Sequence, residues 1–197
     1  SAKVVNHARG GMRNEHEAGW TPGAVSEANE ELLSRILKST EETFAEDKFH
    51  ASIAFIVRDG EVLRVVHVYG EDSPALQVQM VRLAMQIQQD EADALIMIAE
   101  HWSVPADELG RYERPSENDG KVELLSVDLL QANGAAIHCY TSIERNGEDA
   151  WIGEWSLASG FRNFSLTPVH LGWGHPVPEE WRSMTLALVM EAKAQRQ

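Results

Sequence analysis

Cysteine is nearly absent from the chain: Cys139 is its one thiol in 197 residues. An internal disulfide is thereby impossible, as is a structural zinc site built on thiolates, and a reducing cytoplasmic setting is expected. Positive charge is scarce as well. The 17 Lys and Arg stand against 31 Asp and Glu, for a formal net charge of −14 and a pI near 4.9. A protein that grips a phosphate backbone needs a basic patch to displace counterions, so we expect no direct nucleic-acid binding and no attraction to an anionic membrane. No apolar run approaches the roughly 18 residues of a membrane span, and no signal-peptide pattern opens the sequence. Also missing are H-E-x-x-H, a phosphate loop, a dinucleotide fingerprint and any repeat at solenoid periods, so no cofactor is expected.

What is present is core material. The chain is 43% hydrophobic with six tryptophans, which excludes an acidic disordered polymer and fits one substantial core better than two. Residues 1–23, glycine-rich and without a sustained period, are expected to form a flexible N-terminal arm that docks through Val4, Val5 and Trp20. A single domain is expected over 24–197.

From Ser26, a suitable N-cap, Ala28, Leu32, Leu33, Ile36, Leu37, Thr40 and Phe44 form a stripe at spacings of three and four, with Glu30, Glu31, Glu41, Glu42 and Glu46 opposite. That pattern predicts an amphipathic helix with an acidic outer face. His50 to Arg58 and Glu61 to Tyr69 are β-rich and flank Asp59-Gly60, the pair favoured where both central turn residues take positive φ, so a hairpin is predicted. Ser73-Pro74 reads as an N-cap with proline at the first helical position. A second helix should follow, burying Leu76, Met80, Leu83, Ala84 and Ile87. The strongest apolar run, Ala94 to Ala99, continues through Glu100-His101-Trp102 as a buried central strand. Lys121 to Leu130, Ala135 to Arg145 and Glu148 to Leu157 predict a meander, turned at Asn133-Gly134 and Asn146-Gly147. Residues 158–177 are expected to be irregular yet packed, because Phe161, Phe164 and Trp173 should not all stay in water. A last helix from Pro178 should bury Trp181, Met184, Leu188 and Ala192.

The order α-ββ-α-β-βββ-α predicts an α+β fold: one mostly antiparallel sheet of about six strands covered by helices. This succession is similar to that of roadblock and profilin-like domains. Glu100-His101-Trp102, then Arg114-Pro115-Ser116-Glu117 and a strand near Lys121, resembles an uncharacterised bacterial and phage-related family in which a strand ending Glu-x-Trp precedes an Arg-Pro-Ser-Glu turn. The resemblance spans Asp93 to Arg145 and implies no particular activity.

Candidate chemistry gathers first where the central strand ends. Alternation puts Leu95, Met97, Ala99 and His101 on one face and Ile96, Ile98, Glu100 and Trp102 on the other, so Glu100 and His101 are poor partners for each other. Either could act as a base or ligand with groups of the 103–120 loop; the structural reading pairs Glu100 with Arg111 or Arg114 and pins that loop. Trp102 and Arg114 are candidate ligand-binding residues, as are Trp151 and Trp155. The last two are four apart along one strand and so share a face, with Gly153 between them leaving room for a packed helix, the plainer expectation, or for a flat ring. His170 and His175, in HLGWGH, could approach one ion, although hydrogen-bonded histidines are the plainer expectation. Cys139 sits mid-strand beside His138, which faces away from it, and reads as a small buried hydrophobe.

Three readings of function follow. One is a non-enzymatic accessory or interaction protein that forms a homo-oligomer and has room for a further protein partner. Another is an enzyme or small-molecule binder with a pocket at Glu100, His101 and the 103–120 loop. The third is an acidic nucleic-acid mimic, which requires carboxylates in roughly regular rows.

Overall fold

A computed structural model describes residues 20–103, 120–160 and 163–195. The chain folds in the order α1 (Glu27–Asp47), β1 (Ile53–Arg58), β2 (Glu61–His67), α2 (Ser73–Gln89), β3 (Ala94–Ser103), β4 (Val122–Gln131), β5 (Ala136–Asn146), β6 (Asp149–Ile152), β7 (Ser156–Ser159), α3 (Thr167–Gly172) and α4 (Glu179–Ala194). The strands make one seven-stranded sheet, β2-β1-β3-β4-β5-β6, with β7 also on β5. All pairings are antiparallel. The α+β expectation holds, with one more strand and one more helix than the sequence pattern suggested.

Local chemistry explains most element ends. Ser26 caps α1 by accepting from the Asn29 N–H, and Lys48, at φ 60°, closes its far end onto the Phe44 carbonyl. Asp59 (φ 52°) and Gly60 (φ 76°) supply the two positive φ angles of the β1–β2 turn. The cap of α2 is Asp72 rather than Ser73, because the Asp72 carboxylate reaches the Ala75 N–H at 2.8 Å; Ser73 becomes the first helical residue.

One expected strand is broken. Glu148 to Leu157 was predicted as a single run, but β6 pairs with Ile143–Asn146 and β7 with Ile137–Tyr140, both on β5. The chain leaves the ladder between them at Gly153, where an added Cβ would lie 3.2 Å from Ser142 Oγ. The region expected to be irregular holds the end of β7, a 3-10 turn over Phe164–Leu166, and α3. Phe161 lies outside the described residues.

Two cores form on the two faces of β3. Leu33, Ile36 and Phe44 of α1 pack with Ile96, Ile98, Val127 and Cys139. Met80, Leu83 and Ile87 of α2 pack with Ile56, Leu95, Met97, Leu166 and Val169. Each such side chain contributes about 1.5–3 kcal/mol when fully buried. The last helix differs from its prediction: α4 packs on α2 and α3 and fully buries only Thr185 and Ala192, while Met184 stays exposed. A helix lying on other helices needs a narrower apolar face than one lying on a sheet, and Trp181 meets Phe164 edge-on at 5.7 Å.

The start of α1 is fastened by one buried side chain from β4. Gln131 Oε1 accepts from the Ser26 N–H and from Asn29 Nδ2, both at 3.0 Å, and its Nε2 donates to the Ala24 carbonyl. Trp20 then lies against Gly134, where any Cβ would come within 2.4 Å of the indole. The expected docking of Trp20 is thus seen; Val4 and Val5 lie outside the described residues.

Candidate functional site

The end of β3 sends its two polar residues to opposite faces, as alternation requires. On the α1 face, Glu100 Oε1 accepts the His50 N–H at 2.6 Å and Oε2 meets Arg145 Nη2 at 3.1 Å. Arg145 also holds Glu123 at 2.8 and 2.9 Å and donates to the Lys48 carbonyl. Burial raises the Glu100 carboxyl above its ordinary range, opposed by the His50 N–H and by Arg145. The cation that pins Glu100 is therefore Arg145; Arg111 and Arg114, like most of the 103–120 loop, lie outside the described residues. The network joins the end of α1 to three strands. Every oxygen of the two carboxylates in it is engaged.

On the other face, strand register aligns Ala99 with Ser126, Ser126 with Tyr140, and Asp128 with His138. His101 Nδ1 lies 3.4 Å from Ser126 Oγ. His138 Nδ1 meets Asp128 Oδ1 at 2.6 Å, while Asn163 Nδ2 donates to Asp128 Oδ2 at 3.1 Å. The His138 ring stacks on Tyr140. Burial lowers the pKa of His101, with the nearby Asp128 opposing and His138 adding to the shift. Asp128 can only accept when ionised, so it fixes Nδ1–H of His138 and leaves Nε2 as that ring's other hydrogen-bonding atom. Sequence reasoning passed over Ser126, Asp128, His138 and Asn163 as a group. The available signal was Ser126 and Asp128 interrupting the otherwise apolar run from Leu124 to Leu130 at positions of the same parity.

The aromatic candidates do not converge. Trp102 is exposed, with Lys121 Nζ 4.9 Å from the ring centroid. Trp151 is exposed on β6, whereas Trp155 lies in the connection before β7, packs against the α1-side core and donates from Nε1 to Glu41 Oε1 at 2.7 Å. The two indoles, expected on one strand face as core packing or as a platform, are parted because the strand ends between them: Trp155 is packed and Trp151 is exposed.

His170 and His175 do come together, with their Nδ1 atoms 2.9 Å apart. His175 Nε2 lies 2.8 Å from the Ala132 carbonyl, which can only accept, so that nitrogen carries the proton. His175 Nδ1 then accepts, and His170 Nδ1–H donates to it. Both rings are neutral: burial drives His170 down to about 3, aided by His175, and burial also lowers His175. Trp20 and Trp173 flank His175 at 5.7 Å each. Among the described residues, no group of three or more His, Cys, Asp or Glu is placed to hold a metal ion. Cys139 is buried and its thiol pushed up to about 12, chiefly by burial, which removes thiolate character.

Exposed apolar side chains lie on several elements, and one set of them is at the β2 end of the sheet. A groove of about 540 Å³ runs between α1 and β1, with Leu32, Ile36, Ile53, Phe55 and Ile98 among its lining and Phe49 at its lip. Beside it lies β2, exposed at every residue except Val66. Val65 is 55% and Phe49 56% exposed.

Among the described residues, no helix is long and apolar enough to cross a membrane. Residues 14–193 match the family described as bacteriophage lambda protein ea47. No curated protein and no solved structure matches the chain.

Proposed function

The chain belongs to the bacteriophage lambda ea47 family, and from that footing we propose that it is a phage-related accessory protein of the cytoplasm that self-associates and is not an enzyme. The observation that carries this reading is where its exposed apolar side chains lie. Phe49, Val62, Leu63 and Val65 gather at one end of the sheet beside an open apolar groove. Such a patch on a free chain marks an interaction surface. Supporting it, Glu100 is engaged by Arg145 and a backbone N–H, Cys139 is buried, and His170 and His175 meet through their Nδ1 atoms, with His175 also on the Ala132 carbonyl. Sedimentation equilibrium tests the reading. A mass of two or more copies is expected, and a single-copy mass at every concentration would overturn it.

A second reading is favoured by the polar row on the opposite face. His101 and Ser126 lie beside a carboxylate-oriented His138, an arrangement suited to binding a small polar molecule or moving a proton. It moves the expected pocket from Glu100 to the other side of the sheet. A thermal-shift screen of metabolites checks it: a ligand at 100 times its Kd adds about 2.7 kcal/mol. That gain should vanish in His138→Ala, and a hit indifferent to His138 would exclude this site.

A further inference from the structure

We infer that Asn146 is a site of spontaneous covalent modification, losing its side-chain amide to ring closure by the backbone nitrogen of Gly147, while the same dipeptide at Asn133-Gly134 is kept inert by what the fold packs on it. The inference does not depend on self-association.

The chemistry needs an asparagine whose side-chain carbonyl carbon can be reached by the next backbone nitrogen. That nitrogen attacks the carbon, and the new C–N bond closes an imide ring. The bond from the carbon to Nδ2 breaks, and Nδ2 leaves as ammonia with the proton given up by the Gly147 N–H. Water then opens the ring at either carbonyl, giving aspartate or its isoaspartyl isomer, with no oxidant or reductant involved. A following glycine helps because it has no Cβ to block the approach and lets the backbone rotate.

Asn146 and Asp149 are the last pair of the β5–β6 ladder, so Gly147 and Glu148 form the loop. Asn146, Gly147 and Glu148 are all exposed. Among the described residues the Asn146 side-chain amide makes no hydrogen bond, and the Gly147 N–H donates to no carbonyl. Gly147, at φ 65°, has nothing within 4 Å of where a Cβ would stand. Neither reacting group has to leave a partner.

Asn133 is held on every side. Its Nδ2 donates to the Ala24 carbonyl at 2.9 Å, and its Oδ1 accepts from Gln131 Nε2 at 3.2 Å and from the Ala135 N–H at 3.0 Å. The nitrogen that would attack, that of Gly134, donates to the Gln131 carbonyl at 2.9 Å. Gly23 lies so close that an added Cβ would stand 2.4 Å from Asn133 Nδ2, and Trp20 covers Gly134. Ring closure there would break all of these bonds together and needs a local opening first. Asn29, buried against Gln131, precedes Glu30, and Asn163, which donates to Asp128, precedes Phe164, so neither has an open follower.

Either product places a second carboxylate opposite Asp149, which Lys48 Nζ pairs at 3.1 Å. Like charges directly opposed weaken a cross-strand pair, and the isoaspartyl form also lengthens the backbone of the turn. The β5–β6 hairpin therefore loosens with age.

Folded protein held for weeks in mildly alkaline buffer and then cut with trypsin carries the two sites on separate peptides, 122–145 and 146–162. Mass spectrometry against a zero-time sample reads the conversion of amide to acid in each. The 146–162 peptide should lose its amide while 122–145 keeps it, and in urea both should convert. An unchanged 146–162 peptide, equal conversion of the two in folded protein, or an Asn133 that survives in urea would each overturn the inference. Asn146→Asp, the charged product made directly, should unfold at a lower urea midpoint than wild type, and an unchanged midpoint would overturn the loosening of the hairpin.

Discussion

At one end of the sheet β5 is closed by two strands of four residues each, β6 and β7, with Trp155 between them tied to Glu41 and Lys48 Nζ paired to Asp149 at 3.1 Å. At the other end β2 runs for seven residues with Val62, Leu63 and Val65 in solvent. Both ends belong to the same sheet and both face water, so general hydrophobicity does not account for the difference. Short, interrupted strands with charges on them are what a chain uses to keep another strand away. The β2 end also has a register shift and the charges of Glu61 and Arg64, but it is longer and keeps three apolar side chains in solvent, and that exposed apolar surface is the physical reason for placing an interface there.

The comparison can be broken from the closed side first. Trp155→Ala removes an indole packed on the α1-side core and should cost about 2–4 kcal/mol, read as a lower urea midpoint, with self-association per folded molecule unchanged. A loss below about 0.5 kcal/mol would mean that the closed edge does not depend on its tryptophan.

Acid should come next. His170 has a folded pKa of about 3 against about 6.5 for an unfolded histidine. A depressed histidine pKa means that the unfolded chain binds the proton first, so the stabilisation is complete above about pH 6.5 and is lost as pH falls from there toward 3. Between pH 7 and 5 this one group accounts for about 2 kcal/mol. His101 and His175, also lowered, act with the same sign. Urea unfolding at pH 7 and 5 measures the drop, and His170→Gln should flatten it. An equal slope in that variant would assign the acid sensitivity to other groups. The pair sits beside the β4–β5 turn, so its loss should leave pairing at β2 intact until unfolding begins.

The smallest stability effect is expected at the free edge itself. Val65→Lys, compared with wild type at dilutions where both are single copies, should unfold within about 0.5 kcal/mol of it. A larger loss would show that Val65 supports its own sheet, and the two ends would then differ less than their exposures suggest.

The elements that could be read from sequence were those governed by neighbours. Asp59-Gly60, Asn133-Gly134 and Asn146-Gly147 each mark an observed turn, with positive φ at all three glycines, because turn sterics are local. The division of Glu100 from His101 followed from strand alternation alone. What was not legible depended on distant partners. Arg145 reaches Glu100 across 45 positions, and nothing near either residue specifies the other. The broken strand at Gly153 has the same cause: its β-rich composition fits one run, and the close backing of Ser142 and Thr141 is visible only once β5 is in place. His170 and His175 were found because their five-residue spacing kept them near each other, whereas Asp128 and His138 meet only through β4–β5 register.

The grip of Gln131 on the start of α1 also orders events in time. During synthesis the first helix emerges about a hundred residues before the side chain that fastens its start, so this clasp can close only once β4 has been made. A clasp that closes after the barrier would slow unfolding without helping refolding. Gln131→Ala should accordingly speed unfolding and leave the refolding rate nearly unchanged, and stopped-flow kinetics showing slowed refolding instead would place that clasp among the earliest contacts the chain makes.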